Sequence, residues 1–154
     1  MKSVDLSIAN VKIATPCGNG PTMKLTLLKG GISVDKGRIV SVGECLPAIE
    51  EINANGVLAI PGFVDPHTHI PFVGERSKEF VLRAQGKSYE EILKNGGGIY
   101  STVEAVRKAS VEQLVKSGMK YARWFLKNGV TSFECKSGYG LNEKDEIKQL
   151  KAIR

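Results

Sequence analysis

Hydrophobic and polar positions change rhythm near residue 57. Before it, apolar residues alternate with polar ones: Val4, Leu6 and Ile8, then Val11 and Ile13 after Asn10, then Leu25 and Leu27. A period of two puts every second side chain on one face, so residues 1–56 predict β-strands with one buried face. Residues 32–34 and 38–42 flank Asp35-Lys36-Gly37, a hairpin signal in which glycine supplies positive φ. The Pro- and Gly-rich stretch 15–21 predicts a loop, and Asn55-Gly56 predicts a turn. A block this small is expected to pack on a further layer.

From residue 57 the pattern is that of an α/β chain. Residues 57–64 are almost continuously apolar, as in a strand buried on both faces of a parallel sheet. Helix start signals follow. Ser88 and Glu91 form a capping box ahead of Ile92 and Leu93, and Gly96-Gly97-Gly98 ends that segment. Ser101 to Glu104 opens a second helix. Ser110 to Gln113 opens a longer one, with Leu114, Gly118, Met119, Ala122 and Phe125 on one face and Asn128-Gly129 closing it. Residues 130–135 predict a second strand, which completes a βαβ unit, parallel by default. Asn142 starts a last helix with Ile147, Leu150 and Ile153 at helical spacing, and the pattern meets Arg154 without a stop signal. Two parallel strands do not close a barrel, which takes eight. The expectation is an N-terminal piece of a larger α/β protein.

Composition narrows the class. The 154 residues are 42% hydrophobic and 25% charged, a globular profile. Lys and Arg exceed Asp and Glu by 22 to 16, but the basic residues are scattered singly, which argues against a nucleic-acid or membrane patch. The start, residues 1–6, has no apolar core of signal-peptide length, and no later stretch is long enough to span a membrane. Cys17, Cys45 and Cys135 are odd in number and widely spaced, which predicts reduced thiols in a cytoplasmic protein.

The candidate chemistry gathers at the end of the apolar run, in Asp65-Pro66-His67-Thr68-His69, which holds both histidines of the chain. On strand geometry His67 and His69 share a face at about 6–7 Å between Cα atoms, so both imidazoles can reach one metal ion; the alternative is two loop histidines beside a turn. Asp65 has the same parity, and either accepts an imidazole N–H or caps the Asp-Pro turn. Arg76, seven residues on, is placed to grip a substrate carboxylate or lies on the surface. Tyr139, in Lys136-Ser137-Gly138-Tyr139-Gly140-Leu141 after the second strand, either offers its hydroxyl to a pocket or packs on the rim. Gly96-Gly97-Gly98 lacks the residues of a phosphate-binding loop.

The segment Pro61-Gly62-Phe63-Val64-Asp65-Pro66-His67-Thr68-His69 resembles the first-strand metal motif of the amidohydrolase superfamily. More narrowly, residues 72–76 with Glu79-Phe80, residues 82–89 with Ile92-Leu93 and 96–99, and Lys136 to Leu141 resemble the imidazolonepropionase family of histidine degradation. The resemblance implies part of a small β-sandwich domain over 1–56 and the first two strands and helices of a truncated (β/α)8 TIM-type barrel over 57–154. It implies hydrolysis of the cyclic amide of 4-imidazolone-5-propanoate to N-formimidoyl-L-glutamate, with activity only in the complete chain. His67 and His69 would hold one divalent or trivalent ion, zinc or iron. Arg76 would bind the propionate carboxylate and Tyr139 would hydrogen-bond the substrate. A homodimer is one assembly open to the complete protein. The family's further His and Asp ligands come from later strands and have no counterpart here. The alternatives are another cyclic amidase or aminohydrolase of the superfamily, or a non-catalytic fragment.

Overall fold

The computed structural model describes residues 3–18 and 20–154; Met1 and Lys2, and Asn19 of the expected 15–21 loop, lie outside the described residues. The chain divides into two compact units, 1–61 and 62–154.

The first unit is a five-stranded sheet. β1 (Val4–Cys17) pairs antiparallel with β2 (Lys24–Asp35), which pairs antiparallel with β3 (Arg38–Val42). Along its other edge β1 takes two parallel partners in succession, β4 (Ala48–Asn53) and β5 (Leu58–Ala59). The break between the two alternations of β1 is a register shift between Ile8 and Val11, where Asn10 adopts a φ of 56°. Asparagine tolerates this left-handed conformation better than most residues. The 35–38 hairpin forms as the sequence predicts, with Lys36 and Gly37 both at positive φ. Two expectations change. The 15–21 loop is shorter, because β1 runs on to Cys17 against Lys24. The buried positions include Ser7 and Ser33 as well as Val11 and Ile13; the two hydroxyls bond at 2.8 Å and also tie down the Leu46 backbone.

The second unit starts on β6 (Phe63–Thr68), passes through α1 (Ser77–Ala84), α2 (Tyr89–Lys94), α3 (Ile99–Lys108) and α4 (Val111–Lys127), and returns on β7 (Val130–Cys135), parallel to β6. α5 (Glu143–Ile153) follows and packs against α4. Both sequence-read capping boxes are present, Ser88 with Glu91 and Ser110 with Gln113. The core is Val106, Ala109 and Leu114, with Phe72, Val73, Tyr139 and Ala152 packed onto it.

The apolar run 57–64 is not one strand. Leu58 and Ala59 pair with β1 in the first unit, and Pro61, which has no N–H for a ladder, separates them from β6. The first unit therefore reaches residue 61 rather than 56. Nor is the run buried on both faces: Phe63 and Val64 are exposed, because β6 has one neighbouring strand among the described residues. α1 carries no side-chain cap and no buried residue, so it gave no start signal. α3 starts at Ile99 behind Gly98, and Ser101 donates back to the Gly98 carbonyl instead of capping. On α4, Leu114 is buried while Met119 is exposed. α5 turns its expected apolar stripe outward: Ile147 and Leu150 are exposed, while Asp145 and Gln149 are buried.

Candidate metal centre

Thr68, the residue between the two histidines, sets their direction. It is buried, and its Oγ1 donates to the Glu134 carbonyl at 2.7 Å. Its own carbonyl accepts the Lys136 N–H at 2.9 Å. These bonds fasten the end of β6 to β7, and strand alternation leaves His67 and His69 on the opposite side. Their rings lie 5.2 Å apart, with the two Nε2 atoms facing each other at 3.3 Å.

The donors fit a metal in chemistry and spacing. Two nitrogens 3.3 Å apart match one edge of a tetrahedron with metal–nitrogen bonds of about 2.0–2.1 Å. His69 Nδ1 lies 2.7 Å from the Ser137 carbonyl, which only accepts, so the His69 proton sits on Nδ1 and Nε2 keeps its lone pair. His67 Nδ1 faces the Lys136 ammonium at 3.3 Å, and Lys136 also pairs with Glu134 at 3.2 Å. An ammonium only donates, so His67 carries its proton on Nε2, and an ion shared by both Nε2 atoms must displace it. Among the described residues, no group of three His, Cys, Asp or Glu side chains is placed to hold an ion. His67 and His69 offer two nitrogen donors. Asp65 takes the turn-capping role, accepting the His67 backbone N–H at 3.2 Å rather than an imidazole.

Tyr139 joins the histidines, its ring edge-on to His69 with centroids 5.7 Å apart. Phe72 lies against the same tyrosine at 5.8 Å and stacks on Tyr121 at 4.9 Å. Arg76 and Tyr139 line one cavity of about 330 Å³, shared with Phe72, Thr102 and Tyr121. Arg76 is held by Glu79 through Nε and a terminal nitrogen at 3.0 and 2.9 Å, and the other oxygen of Glu79 accepts the Gly98 N–H at 2.8 Å. This hydrogen bonding lowers the pKa of Glu79 and raises that of Arg76. A larger cavity of about 860 Å³ lies along α3 and α4, lined in part by Lys108, Lys116, Lys120 and Arg123. His67, His69, Arg76 and Tyr139 do not line it.

The loop carrying Tyr139 is held from α5, by residues that the sequence reading did not single out. Glu146 accepts the N–H groups of Gly140 and Leu141 at 2.8 and 2.7 Å. Burial alone would push its carboxyl up, but bonds from Ser137, Leu141, Gly140 and Gly138 outweigh that and hold it below the usual value. Gln149 accepts from Gly138 and Tyr139 and donates to the Pro71 carbonyl. Glu79 had a readable signal, because three residues from Arg76 is a helical ion-pair spacing. Gln149 had none, lying beside an apolar stripe and bonding across the fold.

No family model matches the chain. It is 52% identical to an imidazolonepropionase of Kosmotoga olearia over 159 aligned positions, covering 98% of this chain and 39% of that protein. An imidazolonepropionase of Caldanaerobacter subterraneus subsp. tengcongensis is 45% identical, with 97% and 38% covered, and one of Myxococcus xanthus is 49% identical, with 80% and 31% covered. The chain spans about two-fifths of the length of the first two relatives. Among solved structures it resembles an uncharacterized metal-dependent hydrolase from Pyrococcus horikoshii, with a TM-score of 0.55 at 16% identity, covering 96% of this chain and 44% of that one. At that identity the likeness speaks for the fold alone.

Proposed function

We propose that this chain supplies the first metal ligands and part of the substrate pocket of an imidazolonepropionase. The reaction is hydrolysis of 4-imidazolone-5-propanoate to N-formimidoyl-L-glutamate. The observation that carries this reading is the pairing of His67 and His69, with facing Nε2 atoms 3.3 Å apart, and the contact of His69 with Tyr139, which lines a cavity together with Arg76. The relatives at 40–52% identity bear the matching name.

The reaction needs water to add at the ring carbonyl and the adjacent C–N bond to break, with the departing nitrogen taking a proton. A zinc or iron ion held by His67 and His69 would supply Lewis acidity at that carbonyl and toward water near neutral pH. The residues of this chain bind and orient. Arg76, its guanidinium fixed by Glu79, pairs with the propionate carboxylate. Tyr139 hydrogen-bonds the substrate beside His69. The Ser137 carbonyl holds His69 in the tautomer that leaves Nε2 free. Phe72 and Tyr121 form an aromatic wall that limits water around the ring. Further ligands and the residue handling the proton belong to later strands of a TIM-type barrel, which also extend the sheet beside β6. The protein is read as a cytoplasmic enzyme.

The test is product analysis. The intact metal-loaded protein is given 4-imidazolone-5-propanoate, and N-formimidoyl-L-glutamate is sought by mass spectrometry. Turnover that survives Arg76→Ala unchanged argues instead for another cyclic amidase or aminohydrolase of the superfamily.

A further inference from the structure

We infer that Gln149 is the positioning residue that sets Tyr139 and the metal-binding strand in register with each other. The inference rests on the proposed reaction for its kinetic consequence and on geometry alone for the rest. Gln149 lies on α5 and is fully buried, in a helix whose larger apolar side chains are exposed. Burying a primary amide in place of Ile147 or Leu150 is costly unless each of its polar atoms is paired. Both are. Oε1 accepts the N–H groups of Tyr139 at 3.0 Å and Gly138 at 3.3 Å, and Nε2 donates to the Pro71 carbonyl at 2.9 Å.

Those partners belong to the two segments that carry the site. Pro71 lies two residues beyond His69, and Phe72 next to it touches the Tyr139 ring. Gly138 and Tyr139 follow Ser137, whose carbonyl fixes His69. One side chain thus bonds to the exit of β6, 78 positions away in sequence, and to the loop after β7. The task requires an acceptor and a donor on one terminal group of this length. Asn is too short, Met keeps the length without the bonds, and Glu keeps the acceptor but loses the donor when ionised. Glu146 holds the neighbouring Gly140 and Leu141 amides independently, which supplies an internal reference.

The test compares Gln149→Met and Gln149→Glu in the intact protein, first by amide hydrogen exchange. Gln149→Met is expected to speed exchange most at Tyr139, and less at Gly138, whose N–H Glu146 also attracts, while Gly140 and Leu141 stay protected. Gln149→Glu should leave Gly138 and Tyr139 slow. Unchanged exchange in Gln149→Met, or an equal loss of protection at all four amides, overturns the inference. Should Gln149→Met fail to fold, Gln149→Glu decides: retained protection supports the assignment and lost protection refutes it. The second readout is a double-mutant cycle with Tyr139→Phe. If Gln149 acts through the tyrosine hydroxyl, Gln149→Met raises KM by about tenfold in the unmodified protein and by less than about twofold in Tyr139→Phe. Equal effects in both backgrounds mean a role in stability only and refute positioning. The exchange result does not depend on turnover, so failure of the proposed reaction and failure of this inference are read separately.

Discussion

Replacing Arg76 isolates the substrate-recognition part of the proposal. A guanidinium has five N–H donors. Two are engaged by Glu79, one on Nε and one on a terminal nitrogen, at 3.0 and 2.9 Å. Three remain, on the terminal nitrogens, and they suit end-on pairing with a carboxylate. The side chain is 40% exposed, so solvent screens part of the gain. Counting one net charged hydrogen bond, about 1.5–3 kcal/mol, the loss in kcat/KM for Arg76→Ala is about 10- to 150-fold. Most of it should fall on KM, because the carboxylate is remote from the bond that breaks. Arg76→Lys keeps the charge but cannot serve Glu79 and a carboxylate together, and should lose nearly as much. The assay is steady-state hydrolysis of 4-imidazolone-5-propanoate beside an imidazolone lacking the propionate chain, which should be indifferent to both substitutions. A KM for Arg76→Ala within about twofold of the unmodified protein would refute the assignment.

Other consequences concern the framework. Leu114→Ala removes a fully buried side chain from the core beneath Phe72 and Tyr139, and should cost about 2–5 kcal/mol in denaturant unfolding; a loss under about 1 kcal/mol contradicts the packing described. Ser33→Ala leaves the Leu46 amide without its hydroxyl partner and should cost about 1–3 kcal/mol, against which an unchanged melting temperature would count. The Asp145 carboxyl is held below its ordinary value of 3.8, first by hydrogen bonding to Lys148 and then to Asn142. Its stabilisation is therefore fully present above that value and is lost as pH falls through the lower folded one. Asp145→Asn should flatten that part of the acid-unfolding profile, and parallel curves would show that Asp145 contributes nothing there.

What the sequence made legible was local. The turn at Lys36-Gly37 and the capping boxes at Ser88 and Ser110 are written in neighbouring residues, so no distant contact was needed to read them. The shared face of His67 and His69 follows from strand parity, and the structure brings their Nε2 atoms together with His69 beside Tyr139. What depended on tertiary partners was hidden. The 57–64 run carries no mark of which sheet takes which half, and Leu58 and Ala59 go to β1. α5 reads as an apolar stripe, yet it buries Asp145, which pairs with Lys148 and bonds to Asn142, and Gln149, whose hydrogen bonds reach Pro71 and the Tyr139 loop. The Arg76–Glu79 pair lay between these cases: its spacing was visible, but the Gly98 amide that completes it was not.

The central claim is that His67 and His69 together hold the metal on which hydrolysis depends. Metal content by elemental analysis, taken with turnover of 4-imidazolone-5-propanoate, tests it in the intact protein and in the His67→Ala, His69→Ala and doubly substituted variants. One zinc or iron ion per chain is expected in the unmodified protein, with loss of both metal and turnover in every variant. Full metal occupancy in the doubly substituted protein, or turnover that survives it, would mean that His67 and His69 do not hold the metal.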